Sequence, residues 1–175
     1  KGGNGYIESG SITMSNSIIE DGTADQSAAG IYIYNAGSPV TFNNCDFINN
    51  DVYDYNDNAG ALYFHGEQLF INDCYFYGND GRSGGGGLRI SSGTTYITGS
   101  EFRYNIASSY NGGYGGAIFS NGDLTISTTK FINNSTSNDD GSRGGTIYFS
   151  SSSAVLKIYN TLIVTGYSYR YPGVY

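Results

Sequence analysis

Short runs of alternating apolar and polar residues recur along the whole chain. Clear examples are Val40-Thr41-Phe42, Leu69-Phe70-Ile71, Leu124-Thr125-Ile126 and Leu156-Lys157-Ile158. Clusters of Gly, Asn, Asp and Ser separate these runs, and no window of eleven residues carries a helical stripe. Alternation with a period of two is typical of strands that bury one face, so the pattern predicts an all-β protein.

Two phrases repeat in phase with this alternation. One is a double-glycine phrase, found as Gly115-Gly116-Ala117-Ile118 and Gly144-Gly145-Thr146-Ile147 and more loosely at Ala29-Gly30-Ile31-Tyr32, Ala59-Gly60-Ala61-Leu62 and Gly86-Gly87-Leu88-Arg89. The other is aromatic-x-x-Asn, which begins at Phe47, Phe76, Phe102 and Phe131, with Ile19 and Ile163 in the equivalent places. The steps from residue 19 through 47, 76, 102 and 131 to 163 are 28, 29, 26, 29 and 32 residues. Periods of this length indicate stacked repeats.

Three short strands per repeat, joined by turns and one longer loop, describe one coil of a right-handed parallel β-helix. We expect about six coils of about 29 residues, rising about 4.8 Å each by strand pairing. Residues 1–166 then form a single domain, since no linker or change of composition interrupts the repeats. Residues 167–175 form an off-pattern, tyrosine-rich tail.

Aligning the repeats predicts which side chains stack inside the solenoid. Three columns are apolar or nearly so: Ile19, Phe47, Phe76, Phe102, Phe131 and Ile163; Met14, Phe42, Ile71, Ile97, Ile126 and Ile158; and Ile12, Val40, Leu69, Thr95, Leu124 and Leu156. A fourth column contains Asn50, Asn79, Asn105 and Asn134, with Gly22 and Gly166 at its ends. We interpret it as a structural ladder of amides that satisfies turn backbone.

Composition narrows the function classes. The formal net charge is −7, with eight Lys plus Arg, so a basic nucleic-acid footprint is absent. Charged residues make up only 13%, whereas Gly (27) and Tyr (18) are abundant, which favours an extracellular or cell-surface protein. No apolar stretch is long enough to predict membrane insertion. The sequence starts at Lys1 without an initiator Met or a signal-peptide region, which suggests a piece of a longer product.

The paired phrases Gly115-Gly116-Ala117-Ile118 and Phe131-Ile132-Asn133-Asn134 resemble the repeats of chlamydial polymorphic outer membrane proteins and of adhesin-like β-helix proteins. The resemblance covers the chain from about Gly2 to Gly166. It implies a right-handed parallel β-helix and a secreted or surface-displayed structural or adhesive role. The pattern departs at Gly86-Gly87-Leu88-Arg89, where a charge stands in the expected apolar place.

Both cysteines, Cys45 and Cys74, occupy one column of small residues in neighbouring repeats. Their Cα atoms should lie about one strand spacing, ~4.8 Å, apart, which is close enough for a disulfide. Two buried thiols that fill a Ser/Thr/Cys column are an equal alternative. The single histidine, His65, is expected in a strand-end turn with a solvated side chain. No pattern predicts a metal or a cofactor.

Catalysis on polysaccharides would require clustered carboxylates on one exposed face. The outward column before the aromatic residue contains Ile18, Asp46, Tyr75, Glu101, Lys130 and Leu162. Asp46 and Glu101 are two coils apart with a tyrosine between them, so we predict a solvated face with a Glu101–Lys130 pair and no catalytic residues. The acidic loop residues Asp51, Asp54, Asp57, Asp139 and Asp140 match no calcium motif, and we expect them to be solubilising.

Three function classes remain. The first is an extracellular structural or adhesive solenoid, which forms a filament or surface array and partners with itself or with other surface proteins. The second is a carbohydrate-binding module that stacks sugar rings on tyrosines such as Tyr32, Tyr75, Tyr104 and Tyr110. The third is a polysaccharide lyase or glycoside hydrolase.

Two further features carry predictions. Asn133 and Asn134 are overlapping N-glycosylation sequons, and the alignment points Asn133 outward and Asn134 into the ladder. The tail, with Tyr167, Tyr169, Tyr171 and Tyr175, is expected either to cap the last coil or to dock onto a neighbouring subunit. In the second case contacts between subunits would run end to end and propagate as a fibre.

Overall fold

The structure, a computed structural model, describes residues 2–37, 39–53, 59–109, 112–137, 140–164, 166–168 and 173–175. It contains strands and no helix within these ranges. Every pairing between strands is parallel. Each coil contributes one strand to each of three sheets, which confirms the predicted parallel β-helix.

The three sheets each contain six strands, in chain order from one end of the solenoid to the other. Sheet A is formed by β1 (Gly5–Ile7), β5 (Ile31–Ala36), β9 (Leu62–Gly66), β12 (Leu88–Ile90), β16 (Ile118–Ser120) and β20 (Ile147–Phe149). Sheet B is formed by β2 (Ile12–Ser15), β6 (Val40–Asn43), β10 (Gln68–Asn72), β13 (Thr94–Thr98), β17 (Asp123–Ser127) and β21 (Leu156–Tyr159). Sheet C is formed by β3 (Ile18–Glu20), β7 (Asp46–Ile48), β11 (Tyr75–Tyr77), β14 (Glu101–Arg103), β18 (Lys130–Ile132) and β22 (Leu162–Val164).

Two small sheets extend the coil beyond sheet C. One pairs β4 (Thr23–Ala24) with β8 (Asp51–Val52), and the other pairs β15 (Ile106–Ala107) with β19 (Ser135–Thr136). Six strands in each large sheet correspond to the six predicted coils, with five full turns between the first and last strand of a sheet.

The core columns predicted from the alignment pair in the predicted register. Phe47, Phe76, Phe102 and Phe131 are fully buried, and their rings stack with centroids 4.6, 4.4 and 5.0 Å apart. Stacked aromatic pairs contribute about 0.5–1.5 kcal/mol each beyond their burial. In sheet B, Phe42 pairs with Met14 on one side and Ile71 on the other. The alternation observed in the sequence therefore decides which face of each strand is inside.

The corners on either side of sheet C are single left-handed residues. The first corner contains Asn16, Asn44, Asp73, Gly99, Thr128 and Asn160, all with φ between 45° and 64°. The second contains Asp21, Asn49, Gly78, Tyr104 and Asn133, with φ between 51° and 65°. Asn, Asp and Gly tolerate this conformation best, which explains the polar clusters between the apolar runs.

The double-glycine alignment is wrong by one residue in two repeats. Leu88 pairs with Ile118, so the glycines equivalent to Gly115 and Gly116 are Gly85 and Gly86. Arg89 therefore pairs with Phe119 on the outside of sheet A, and the charge does not replace a core residue.

The first repeat is shifted in the same way. Ile31 pairs with Leu62, so Ala29 and Gly30 lie one position later in the phrase than was predicted. Ala28 accordingly forms a bridge with Ala59.

The described parts of the tail continue the solenoid. Tyr167 forms a bridge with Ser135, and its N–H donates to the carbonyl of Asn134. Tyr175 exchanges backbone hydrogen bonds with β20, and Val174 forms a bridge with Ile147. This arrangement agrees with a cap over the last coil. The predicted tail residues Tyr169 and Tyr171 lie outside the described residues.

Candidate functional site

Alternation in sheet A places one side chain of every strand outside, above the same part of the core. This outward column, which we call the aromatic face, consists of Tyr6, Tyr32, Tyr63, Arg89, Phe119 and Tyr148. Tyr175 from the tail stacks on Tyr148 with a centroid distance of 5.4 Å and extends the column by one ring. A row of aromatic side chains thus runs along the solenoid axis, with one arginine in its middle.

The rings of the first three coils stack on one another. Tyr32 lies between Tyr6, at 5.6 Å and 11°, and Tyr63, at 4.6 Å and 19°. Tyr34 lies beside Tyr32 and stacks on His65 at 4.9 Å. Because the ring faces contact each other, Tyr32 presents its edge and its hydroxyl group to solvent rather than its face.

Crowding of phenol groups changes the acidity of the central ring. Burial raises the pKa of Tyr32, and the neighbouring phenols of Tyr63, Tyr6 and Tyr34 raise it further. The Tyr32 phenol is therefore a neutral hydroxyl at physiological pH.

The later part of the aromatic face is covered by the chain itself. Arg89 and Phe119 are only 6% and 8% exposed, and the Arg89 guanidinium lies 4.1 Å above the Phe119 ring. Tyr114, from the loop before β16, packs against Phe119 at 6.1 Å and Tyr148 at 4.9 Å. The accessible part of the face is therefore the Tyr6, Tyr32 and Tyr63 section of the first three coils.

An open groove of about 310 Å³ borders this section, where sheet A turns towards sheet B. Asn35, His65, Glu67 and Ser92 contribute its polar lining. His65 lies inside β9 rather than in a turn, is half-buried, and its Nδ1 is 3.5 Å from the Ser91 hydroxyl. The predicted solvated histidine is thus partly packed, because the next ring in its column is Tyr34. The groove has the volume of a small ligand site, with a mixed polar and apolar lining.

Sheet C presents the outward column in which catalytic carboxylates were considered. Asp46, Tyr75, Glu101 and Lys130 lie on neighbouring strands in that order, as predicted. Glu101 forms a close ion pair with Arg103 and a longer one, 4.0 Å, with Lys130. The Tyr75 phenol, whose pKa is raised mainly by burial, lies between the two carboxylates. Glu101 therefore has two cations as partners and no neighbouring carboxylate in this column, which disfavours acid–base chemistry.

The tyrosines proposed for sugar stacking do not form one platform. Tyr32 lies on sheet A, whereas Tyr75 and Tyr104 lie in and beside sheet C, where both contact Tyr77. Tyr110 lies outside the described residues. The tyrosines that the structure brings together are Tyr6, Tyr32 and Tyr63, and the shifted phase of the double-glycine phrase concealed this column.

The four asparagines of the ladder are fully buried and hydrogen-bonded from coil to coil. In the second coil, the Asn50 backbone N–H and Nδ2 both donate to Asn79 Oδ1, at 3.0 and 2.9 Å, and Nδ2 also donates to the Ile19 carbonyl. The same arrangement recurs through Asn105 to Asn134. In the first coil Gly22 supplies only its N–H, and the side chain of Asn4 donates to Asn50.

Cys45 and Cys74 are free thiols in the structure, both buried, so the buried-thiol alternative describes its state. The Cys45 N–H donates to Cys74 Sγ at 3.4 Å, and the Cys74 N–H donates to Ser100 Oγ at 3.0 Å. Burial raises the pKa of the Cys74 thiol to about 12. Both cysteines therefore serve as small acceptors at the corner between sheets B and C.

The remaining predicted positions differ in exposure. Asn134 is buried in the ladder, and Asn133 is a half-buried corner residue. Asp51 is half-buried and its pKa is raised, mainly by burial and then by Asp80. Asp54, Asp57 and Asp139 lie outside the described residues, and Asp140 is exposed. Within the described ranges no group of three or more His, Cys, Asp or Glu residues could hold a metal ion.

Comparisons of the chain with protein-family models, with curated proteins and with solved structures found no match. The fold assignment consequently depends on the strand pairing described above, and the resemblance to outer membrane and adhesin-like repeats depends on the repeat phrases alone. Among the described residues there is no helix with the length and apolar character needed to cross a membrane.

Proposed function

We propose that this chain is an extracellular structural and adhesive β-solenoid that binds its target through the aromatic face. The observation that carries the proposal is the stack of Tyr6, Tyr32 and Tyr63 on three successive strands. Its likeness to the repeats of adhesin-like β-helix proteins supports the same role.

Tyrosine is well suited to such a surface. Its ring offers a large contact area, its hydroxyl forms hydrogen bonds, and ordering it costs little conformational entropy. In this chain the rings are held in place by one another and by the strands beneath them. A rigid surface has little entropy left to lose when it binds, which favours affinity.

We also propose that the chain is not an enzyme. Asp46 and Glu101 lie two strands apart, and Glu101 is already paired with Arg103 and Lys130. A lyase or glycoside hydrolase would release unsaturated or reducing ends from polysaccharides, and we expect no such product.

The test is binding of labelled protein to cell surfaces and to glycan arrays. The variant Tyr32→Ser/Tyr63→Ser removes the centre of the stack. Its matched control is Tyr96→Ser on sheet B, where an outward tyrosine, 37% exposed, stacks on Phe70. We expect the double variant to lose at least tenfold in affinity and the control to be unchanged. Equal binding by all three proteins would refute the role of the aromatic face.

Carbohydrate binding is the second candidate, favoured by the groove beside Tyr34 and His65. Asn35, Glu67 and Ser92 line it with the amide, carboxylate and hydroxyl groups that sugar hydroxyls require. The variant Glu67→Ala should abolish glycan binding without affecting the fold, because Glu67 is exposed. Glycan binding that persists in this variant would exclude the groove.

Self-association end to end, in a filament or surface array, is the third element of the proposal. Ile18, 63% exposed, and Leu162, 52% exposed, lie on the outermost strands of sheet C, which offer free backbone edges for a second copy. Ile18→Lys/Leu162→Lys should keep the protein monomeric in sedimentation experiments. Wild-type protein that remains monomeric at high concentration would reject assembly.

A further inference from the structure

The closest pair of tyrosines in the described part of the chain is Tyr32 and Tyr63. They are directly paired across β5 and β9, and their ring centroids are 4.6 Å apart at an interplanar angle of 19°. Their hydroxyl groups are hydrogen-bonded to each other. Two nearly parallel rings whose oxygens are adjacent also have adjacent ortho carbons.

Both rings are half-buried and therefore reachable from solvent at their edges. The other tyrosine pairs are less favourable. Tyr6 is 5.6 Å from Tyr32, and Tyr77 meets Tyr104 edge-on at 79°. Tyr114 and Tyr148 approach to 4.9 Å but are tilted by 38°.

We propose that the Tyr32–Tyr63 pair is a site of oxidative modification, at which an ortho–ortho dityrosine bond joins the second coil to the third. The oxidant class is a peroxidase with hydrogen peroxide. This inference depends on the geometry of the pair and not on the proposed adhesive function.

The chemistry balances as follows. Each phenol loses one electron and one proton to the peroxidase and becomes a phenoxyl radical. The two radicals combine through their ortho carbons, and the hydrogens on those carbons move to the oxygens as the rings regain aromaticity. Two tyrosines and one hydrogen peroxide therefore yield one dityrosine and two water molecules.

The product would link strands that are 31 residues apart in sequence (63 minus 32). A cross-link of this kind restricts the unfolded chain, as a disulfide does. In the structure the two cysteines are free thiols, so such a bond would be a covalent link between coils where sulfur supplies none.

The experiment treats the dilute full chain with horseradish peroxidase and limiting hydrogen peroxide, followed by protease cleavage before aspartate. Cleavage separates a peptide of residues 25–45, with Tyr32 and Tyr34, from one of residues 57–72, whose single tyrosine is Tyr63. We expect these two peptides to be joined, with the loss of two hydrogen atoms, and fragmentation to locate the bond at Tyr32.

The variants test the geometry. Tyr63→Phe should abolish this product, whereas Tyr34→Phe, in the same peptide as Tyr32, should leave it unchanged. Phe70 and Tyr96 provide a built-in control, because they stack at 5.3 Å and 11° but one ring lacks the hydroxyl. Phe70→Tyr should create a second cross-link, between the peptide of residues 57–72 and the peptide that contains Tyr96.

Several results would overturn the proposal. One is dityrosine distributed among exposed tyrosines without enrichment of the 25–45 and 57–72 product. Another is the same yield of that product from urea-unfolded protein, which would show that the stack is not required. Products that join two molecules, seen as dimers at low protein concentration, would equally refute an intramolecular site.

Discussion

Replacement of Asn79 by alanine tests the amide ladder most directly. Asn79 is fully buried, and its side chain takes part in four hydrogen bonds. Its Oδ1 accepts from the backbone N–H and the Nδ2 of Asn50, while its Nδ2 donates to the Phe47 carbonyl and to Asn105 Oδ1. Alanine removes all four bonds and leaves buried donors and acceptors in two neighbouring coils.

A net contribution of about 1 kcal/mol for each hydrogen bond gives a loss of roughly 4 kcal/mol. This loss is a large fraction of the ~5–15 kcal/mol by which domains are stable. The assay is urea unfolding followed by circular dichroism, with the free energy of unfolding extrapolated to zero denaturant.

Asn72→Ala is the matched control, because Asn72 belongs to an outward column and its amide donates one hydrogen bond, 3.0 Å long, to Asn43. We expect this substitution to cost less than about 1 kcal/mol. If Asn79→Ala cost no more than Asn72→Ala, the ladder would not stabilise the solenoid and the reasoning would be refuted.

Asn79→Asp separates the roles of the two side-chain atoms. The introduced carboxyl group keeps the acceptor for Asn50, but in its charged form it faces the oxygens of Phe47 and Asn105. Its folded-state pKa should therefore be raised above the unfolded value of about 3.9. The variant should lose stability as the pH rises through that folded-state pKa, and a pH-independent difference from wild type would contradict this.

Three further predictions concern other positions. The Cys74 thiol, whose pKa is raised to about 12, should not react with a thiol reagent in the native protein, and its contribution to stability should fall as the pH rises from 9.0 to about 12, because only the unfolded chain ionises there; rapid native labelling would contradict its burial. Gly116→Ala should destabilise the fold by about 1–3 kcal/mol in thermal unfolding, because the added carbon would lie 2.3 Å from a backbone oxygen of the next coil, while Gly37→Ala, with open space around it, should be nearly neutral. An N-glycan attached by a glycosylating host should be found by peptide mass spectrometry on Asn133 and not on Asn134, whose amide is buried in the ladder.

Much of the fold could be predicted because a solenoid converts sequence period into spatial columns. The phase of Phe47, Phe76 and Phe102 is unambiguous, since each aromatic residue stands alone between polar neighbours. The same phase correctly predicted the register of sheets B and C and the order of the outward column from Asp46 to Lys130.

The register of sheet A was harder to predict. The run Gly84-Gly85-Gly86-Gly87 offers no side chain that distinguishes one glycine from the next. Only the pairing of Leu88 with Ile118 decides the alignment. The error displaced Arg89 by one position and hid the aromatic face, because a shift of one residue moves every side chain to the opposite face of a strand.

The sequence by itself determined the parallel β-helix, its three apolar columns and the buried asparagines, because these follow from local alternation and a nearly constant period. The tertiary structure decided which tyrosines meet. Tyr32 and Tyr63 are joined by a loop of variable length, so their contact depends on hydrogen bonds between coils and not on any period in the chain. The covering of Phe119 by Tyr114 likewise depends on how a loop folds over the sheet. Local pattern specifies the coil, whereas the functional surface arises from contacts between coils, which single-chain periodicity does not encode.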